Sequence, residues 1–159
     1  MFRYLCALLC GVLFLPNVEG QTKMLEASIE ELSERLNTGD VTSVELVQYY
    51  LTRIDAYDAA GPSLNAIQHI NAKALEQAQR LDEERKRSGA RSLLHGIPLV
   101  VKDNYETIDA PTTAGSAIIS DHWPKRDATQ VARLREAGAI ILAKTTMHEF
   151  AKAIKKEMN

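Results

Sequence analysis

Two short apolar runs, Leu99-Val100-Val101 and Ala139-Ile140-Ile141-Leu142-Ala143, set the tightest limit on what this chain can fold into. Neither alternates with polar residues, so each reads as a strand covered on both faces. Between them, residues 128–137 place Val131 and Leu134 at helical spacing, and Gly138 ends the helix. Strand, crossover helix and strand in that order predict a parallel pair with helices packed against it.

Material for those layers comes earlier. Ser28-Ile29-Glu30-Glu31 and Thr42-Ser43-Val44-Glu45 both carry the capping-box pattern of a helix start. Ile29, Leu32 and Leu36 follow the first as far as Gly39. Val44, Val47, Leu51 and Ile54 form a stripe after the second, with Tyr50 and Tyr57 beside it. Past the turn residues 59–63, residues 66–70 are short enough for a strand. Residues 72–86 predict a third helix with Leu75, Ala78 and Leu81 inward. The charge run Asp82-Glu83-Glu84-Arg85-Lys86-Arg87 reads as its solvated end. The expected class is α/β: N-terminal helices plus the first strands of a mixed, mainly buried sheet. Two or three strands leave that sheet incomplete.

The first twenty residues are of another kind. Arg3 supplies a positive charge, residues 4–15 are almost unbroken apolar, Pro16 breaks the run, and Val18-Glu19-Gly20 offers a cleavage site. This is the layout of a secretory signal peptide, with the cut expected after Gly20. The run is too short for a stable membrane span. Cys6 and Cys10 both lie inside it, so a cleaved chain has no thiol for a disulfide or for cysteine catalysis. The net charge of −2 gives no reason to expect a nucleic-acid partner. His69, His95, His122 and His148 are far apart, without metal-ligand spacing. No metal and no cofactor are expected.

Chemistry concentrates at Lys102. A lysine at the mouth of a buried strand can lose enough solvation to serve as a neutral base toward a serine hydroxyl. No Gly/Ser-rich segment follows it. Ser116, in a Thr-Ala-Gly-Ser loop, is the nearest substitute, but loop packing and backbone hydrogen bonding are the roles its setting favours. His95 and His148 read as structural or surface residues.

Four separated segments share one resemblance. They are Gly96-Ile97-Pro98-Leu99-Val100-Val101-Lys102-Asp103-Asn104, Pro111-Thr112-Thr113-Ala114-Gly115-Ser116, Asp127-Ala128-Thr129 with the helix and strand after it, and Ala143-Lys144-Thr145-Thr146-Met147-His148-Glu149-Phe150-Ala151. In this order they resemble the N-terminal part of the amidase signature family, over residues 25–151. The family hydrolyses carboxamide C–N bonds with a serine nucleophile, a second serine on a cis peptide and a lysine. The resemblance puts Lys102 in the lysine role, as ancestral general base. It places both serines and the oxyanion-hole donors in a Gly/Ser-rich stretch beyond Glu149-Phe150-Ala151. Here Lys152-Ala153-Ile154-Lys155-Lys156-Glu157-Met158-Asn159 stands instead, and resembles nothing in the family. The expected division is therefore signal peptide 1–20, amidase portion 21–151 and non-family tail 152–159. The resemblance implies a small-molecule amide substrate for the full-length form, with its binding residues unknown. It also implies that this chain alone, cut short of the serines, is inactive. The alternatives are a secreted non-catalytic binding module, or one subunit of a split amidase.

Overall fold

The structure, a computed structural model, describes residues 24–151. The expected signal peptide and the 152–159 tail lie outside the described residues. The helices are α1 (Ile29–Thr38), α2 (Ser43–Ile54), α3 (Ala74–Ser88) and α4 (Thr129–Glu136). The strands are β1 (Ile67–Ile70), β2 (Pro98–Lys102) and β3 (Ile140–Thr145). A π turn, Asp55–Ala59, prolongs α2.

Both capping boxes form. Glu31 N–H donates to Ser28 Oγ at 3.1 Å while Ser28 N–H donates to Glu31 Oε2 at 2.7 Å; Thr42 and Glu45 repeat the pair at 3.1 and 2.8 Å. Gly39, at φ +80°, ends α1 in the left-handed region where glycine carries no penalty.

The charge run in α3 is not merely a solvated helix end. Asp82 accepts from Ser43 and Val44 N–H at 2.8 and 3.1 Å, filling the start of α2. Glu84 holds Arg91 through two bonds of 2.5 and 2.6 Å. Arg85 donates to Asn37 Oδ1 and to the His95 carbonyl, both at 2.5 Å. The reason is tertiary: α3 packs across α2, so one side of its charged stretch meets protein. Leu75 also departs from expectation. It is exposed, and Ala74 joins Ala78 and Leu81 on the buried face.

The three strands lie in the order β1-β3-β2. β2 and β3 are parallel, as strand-helix-strand order predicts, and β1 is antiparallel to β3. β3 is central, and Ile140 through Lys144 are all buried. β2 is not the fully covered strand its composition suggests, because Val100 is 49% exposed. Among the described residues only β3 pairs with it, so β2 is an edge.

Two apolar clusters hold these elements. Val47, Ala78, Leu81, Ile140 and Leu142 fill the space between α2, α3 and β3. Met24, Leu32, Leu36, Leu46 and Ile97 join α1 and α2 to the start of β2. His95 is buried between them and is structural, with Nε2 2.9 Å from the Leu81 carbonyl and Nδ1 accepting from Arg91 N–H at 3.2 Å. Gly138 backs onto it at φ +92°; a Cβ there would sit 2.8 Å from His95 Cα.

Candidate active site

β2 and β3 run in the same direction, so their carboxyl ends emerge side by side. At such an edge an open α/β sheet gathers its functional loops. Lys102 is the last residue of β2, in register with Thr145 at the end of β3. Asp103 N–H donates to the Thr145 carbonyl at 3.1 Å, which ties the two exits together.

The 112–116 loop lies against both ends. Thr113 donates to Asp103 Oδ2 from its N–H at 3.1 Å and from its hydroxyl. Ala114 N–H reaches the Asp103 carbonyl at 3.1 Å, and Phe150 N–H reaches the Ala114 carbonyl at 2.8 Å. Gly115, at φ +72°, permits this approach; a Cβ would lie 2.6 Å from the Met147 carbonyl oxygen. The segment that begins at Asp127 is anchored through ion pairs and a backbone contact. Asp127 accepts from Ile108 N–H at 3.0 Å and from Arg135 Nε at 3.0 Å, and Arg135 also grips Asp109 at 2.7 Å.

Lys102 itself is exposed, flanked by half-buried Val101 and exposed Val100. The buried lysine of this edge is a different one. Lys144, 1% exposed, sits beneath the loop. Its Nζ lies 3.0 Å from Asp103 Oδ1 and donates to Thr112 Oγ1 at 2.8 Å and to the Pro111 carbonyl at 3.1 Å. Burial pulls the Lys144 ammonium below its ordinary range, and the Asp103 carboxylate opposes that pull. For Asp103, burial pushes upward, but hydrogen bonds from Thr113 and Lys144 outweigh it and leave the carboxyl below its ordinary range. The pair is therefore an ion pair that fixes the residue next to Lys102.

Neither Asp103 nor Lys144 stands out as a functional residue in the sequence. The available signal was a charge directly after each apolar strand run. A charge there is either solvated or paired with its counterpart on the neighbouring strand.

Three hydroxyls of the 112–116 loop are committed to protein partners. Thr112 donates to the Tyr105 carbonyl at 3.2 Å, Thr113 to Asp103, and Ser116 to Glu149 Oε1 at 2.6 Å. Ser116 is buried and also accepts from Ile118 N–H at 3.3 Å, capping a 3₁₀ turn. It serves the loop. His148 is exposed. Among the described residues no group of three or more His, Cys, Asp or Glu side chains is gathered to hold a metal ion.

Three segments far apart in sequence thus meet at one edge, with an accessible lysine over a buried ion pair. Comparison with known proteins agrees with that convergence: the family model for Amidase matches residues 45–159. The chain belongs to the amidase family. The match continues to residue 159, past the point where the sequence motifs end at Ala151. A glutamyl-tRNA(Gln) amidotransferase component of Thermobifida fusca (strain YX) is 40% identical over 131 residues, covering 82% of this chain and 26% of that protein. The peptide amidase of Stenotrophomonas maltophilia superposes with a TM-score of 0.77 at 41% identity, over 79% of this chain and 26% of the other. An amidase family protein of Bacillus anthracis superposes with a TM-score of 0.78 at 38% identity, over 89% and 28%. The chain therefore spans about a quarter of the length of the amidases it matches.

Proposed function

We propose that these residues form the N-terminal portion of an amidase that, in full-length form, hydrolyses carboxamide C–N bonds with Lys102 as its general base. The observation that carries this reading is the meeting of the β2 end, the 112–116 loop and the β3 end around Lys102. Acyl transfer also needs an oxygen nucleophile and donors for the developing oxyanion. The Thr112, Thr113 and Ser116 hydroxyls are engaged elsewhere, and on this reading the serines come from further amidase polypeptide, with a small-molecule amide bound where that polypeptide meets Lys102. The described part alone supplies a base with nothing to activate, and loss of a nucleophile typically costs on the order of 10⁶ in rate.

The test is ammonia release from a panel of small aliphatic and aromatic amides. The 159-residue chain and its Lys102→Ala variant are expected to match the no-protein background. Turnover that vanishes in Lys102→Ala would place a nucleophile within these residues and sink the proposal.

The charged start, apolar core and Val18-Glu19-Gly20 support secretion with the signal removed after Gly20. N-terminal sequencing of secreted product should then begin within a few residues of Gln21. Intact Met1 recovered in a membrane fraction would refute this. No helix among the described residues is long and apolar enough to cross a membrane.

A further inference from the structure

Among the described residues, only Lys73, Arg91, Lys125 and Arg126 place a lysine or arginine outside the helices and strands. Lys125 and Arg126 are adjacent, and both are exposed. They end a run, residues 123–126, in which no main-chain or side-chain group makes a hydrogen bond or ion pair among the described residues. Firm anchors stand on either side. The His122 carbonyl accepts from Thr112 N–H at 2.9 Å, and the Asp127 carboxylate accepts from Ile108 N–H and Arg135 Nε, each at 3.0 Å. Between them Pro124 is buried and Trp123 is 58% exposed. The run is a short bare span of backbone strung between two fixed points.

Such a span meets the needs of one kind of partner. A polypeptide taken up as an added strand is held by its own main-chain groups, and a pocket for one side chain supplies specificity. Serine proteases with an acidic pocket read a basic side chain just before the bond they cut. Here the main-chain groups of Lys125 and Arg126 are free to be taken up, with no protein hydrogen bond to break first. The other basic positions are barred. Arg85-Lys86-Arg87 is also a basic run, but it lies within α3, and cutting it requires the helix to open. The Lys73 carbonyl accepts from Gln77 N–H at 2.9 Å at the start of that helix. Arg91 is held by Glu84.

We propose that residues 123–127 are a processing site, at which a serine protease selective for paired basic residues hydrolyses the Arg126–Asp127 peptide bond of the folded chain. One water is consumed, the C–N bond breaks, and an Arg126 carboxylate and an Asp127 ammonium are left. The cut divides the lysine edge between two pieces: Lys102, Asp103 and the 112–116 loop on one, Lys144 and Glu149 on the other. The pieces stay together, because β3 remains paired with β1 and β2 and the Lys144–Asp103 and Arg135–Asp109 bridges span the break. Neither a catalytic role for Lys102 nor secretion of the chain is needed for this cut.

The full chain is treated under native conditions with a trace of trypsin and, separately, with a processing protease that requires paired basic residues. With both, the first cut within residues 24–151 should expose the new N-terminus Asp127-Ala128-Thr129, and the two pieces should co-elute on gel filtration. Arg126→Gln should slow the appearance of that terminus at least ~10-fold with either protease, because a pocket built around a cation rejects a neutral side chain. Lys125→Gln should slow the paired-basic protease as much and leave trypsin unchanged. Neither side chain has a partner among the described residues, so both variants should melt with the parent. Arg87→Gln, in the basic run of α3, should change neither rate. A first cut after Lys73, after Arg91 or within α3 overturns the proposal, as does resistance of the Arg126–Asp127 bond to the paired-basic protease. Cutting after Arg126 and within α3 at equal rates would mean that the protease acts on the unfolded chain, and overturns it equally. So do pieces that part on gel filtration.

Discussion

Lys144 and Asp103 show how one buried charge commits another. Both are almost wholly inaccessible, and neither has a second ionic partner within ion-pair distance among the described residues. Removing one member of such a pair leaves the other desolvated and uncompensated, at a typical cost of ~3–5 kcal/mol. Lys144→Met should therefore lower the urea midpoint sharply. Lys144→Met combined with Asp103→Asn should recover part of the loss, since an Asn oxygen still accepts from Thr113 and no charge is stranded. A double variant weaker than Lys144→Met would contradict this. The pH dependence has a fixed sign. Asp103 titrates below the ordinary value of 3.8 when folded, so its contribution is complete above that value and is lost as pH falls through the lower folded value. The gap in urea midpoint between the native chain and Asp103→Asn should thus shrink on acidification below about pH 4. Lys102 stands out because an apolar run and a family-like motif lead up to it, but the desolvated strand mouth that the run suggests is not what the fold makes there: Lys102 and Val100 are exposed. The Lys144–Asp103 pairing was not legible, because it depends on which strand lies beside β2.

At the scale of elements, α2 shows a helix start assembled from two parts of the chain. Thr42 satisfies Glu45 N–H from within, while Asp82 of α3 satisfies Ser43 and Val44 N–H from outside. All three donors would otherwise lack intrahelical partners. A carboxylate at this position also meets the positive end of the helix dipole. Asp82→Ala should cost ~1–2 kcal/mol, the upper part of the range for a lost cap, and Asp82→Asn about half as much. Chemical denaturation measures both, and an Asp82→Ala effect within error of zero would show the contact to be incidental. The Thr42 and Glu45 half was plain in the sequence because a capping box is local. The Asp82 half was hidden within a charge run whose composition suggests solvent. Helix ends are legible when their partners are three residues away, and illegible when those partners sit on another helix.

For the whole molecule, the strand order β1-β3-β2 decides which parts are firm. The parallel relation of β2 and β3 followed from the crossover helix. The central place of β3 did not, because β1 joins it antiparallel from a distant part of the chain, a pairing that no local pattern encodes. Composition makes Leu99-Val100-Val101 and Ile140-Ile141-Leu142 look alike, yet one is an edge and the other the middle of the sheet. β3 is buried along Ile140 to Lys144, is paired on both sides and packs against α3 and α4, so its amides open only when most of the structure does. Val100 lies on the unpaired side of β2, where exchange needs no large opening. Residue-resolved hydrogen exchange on the chain alone should find the Ile141 and Leu142 amides slower than Val100 by at least ~100-fold, a gap of roughly 3 kcal/mol in opening free energy. Equal protection across β2 and β3 would mean that the β2 edge is already covered in this chain.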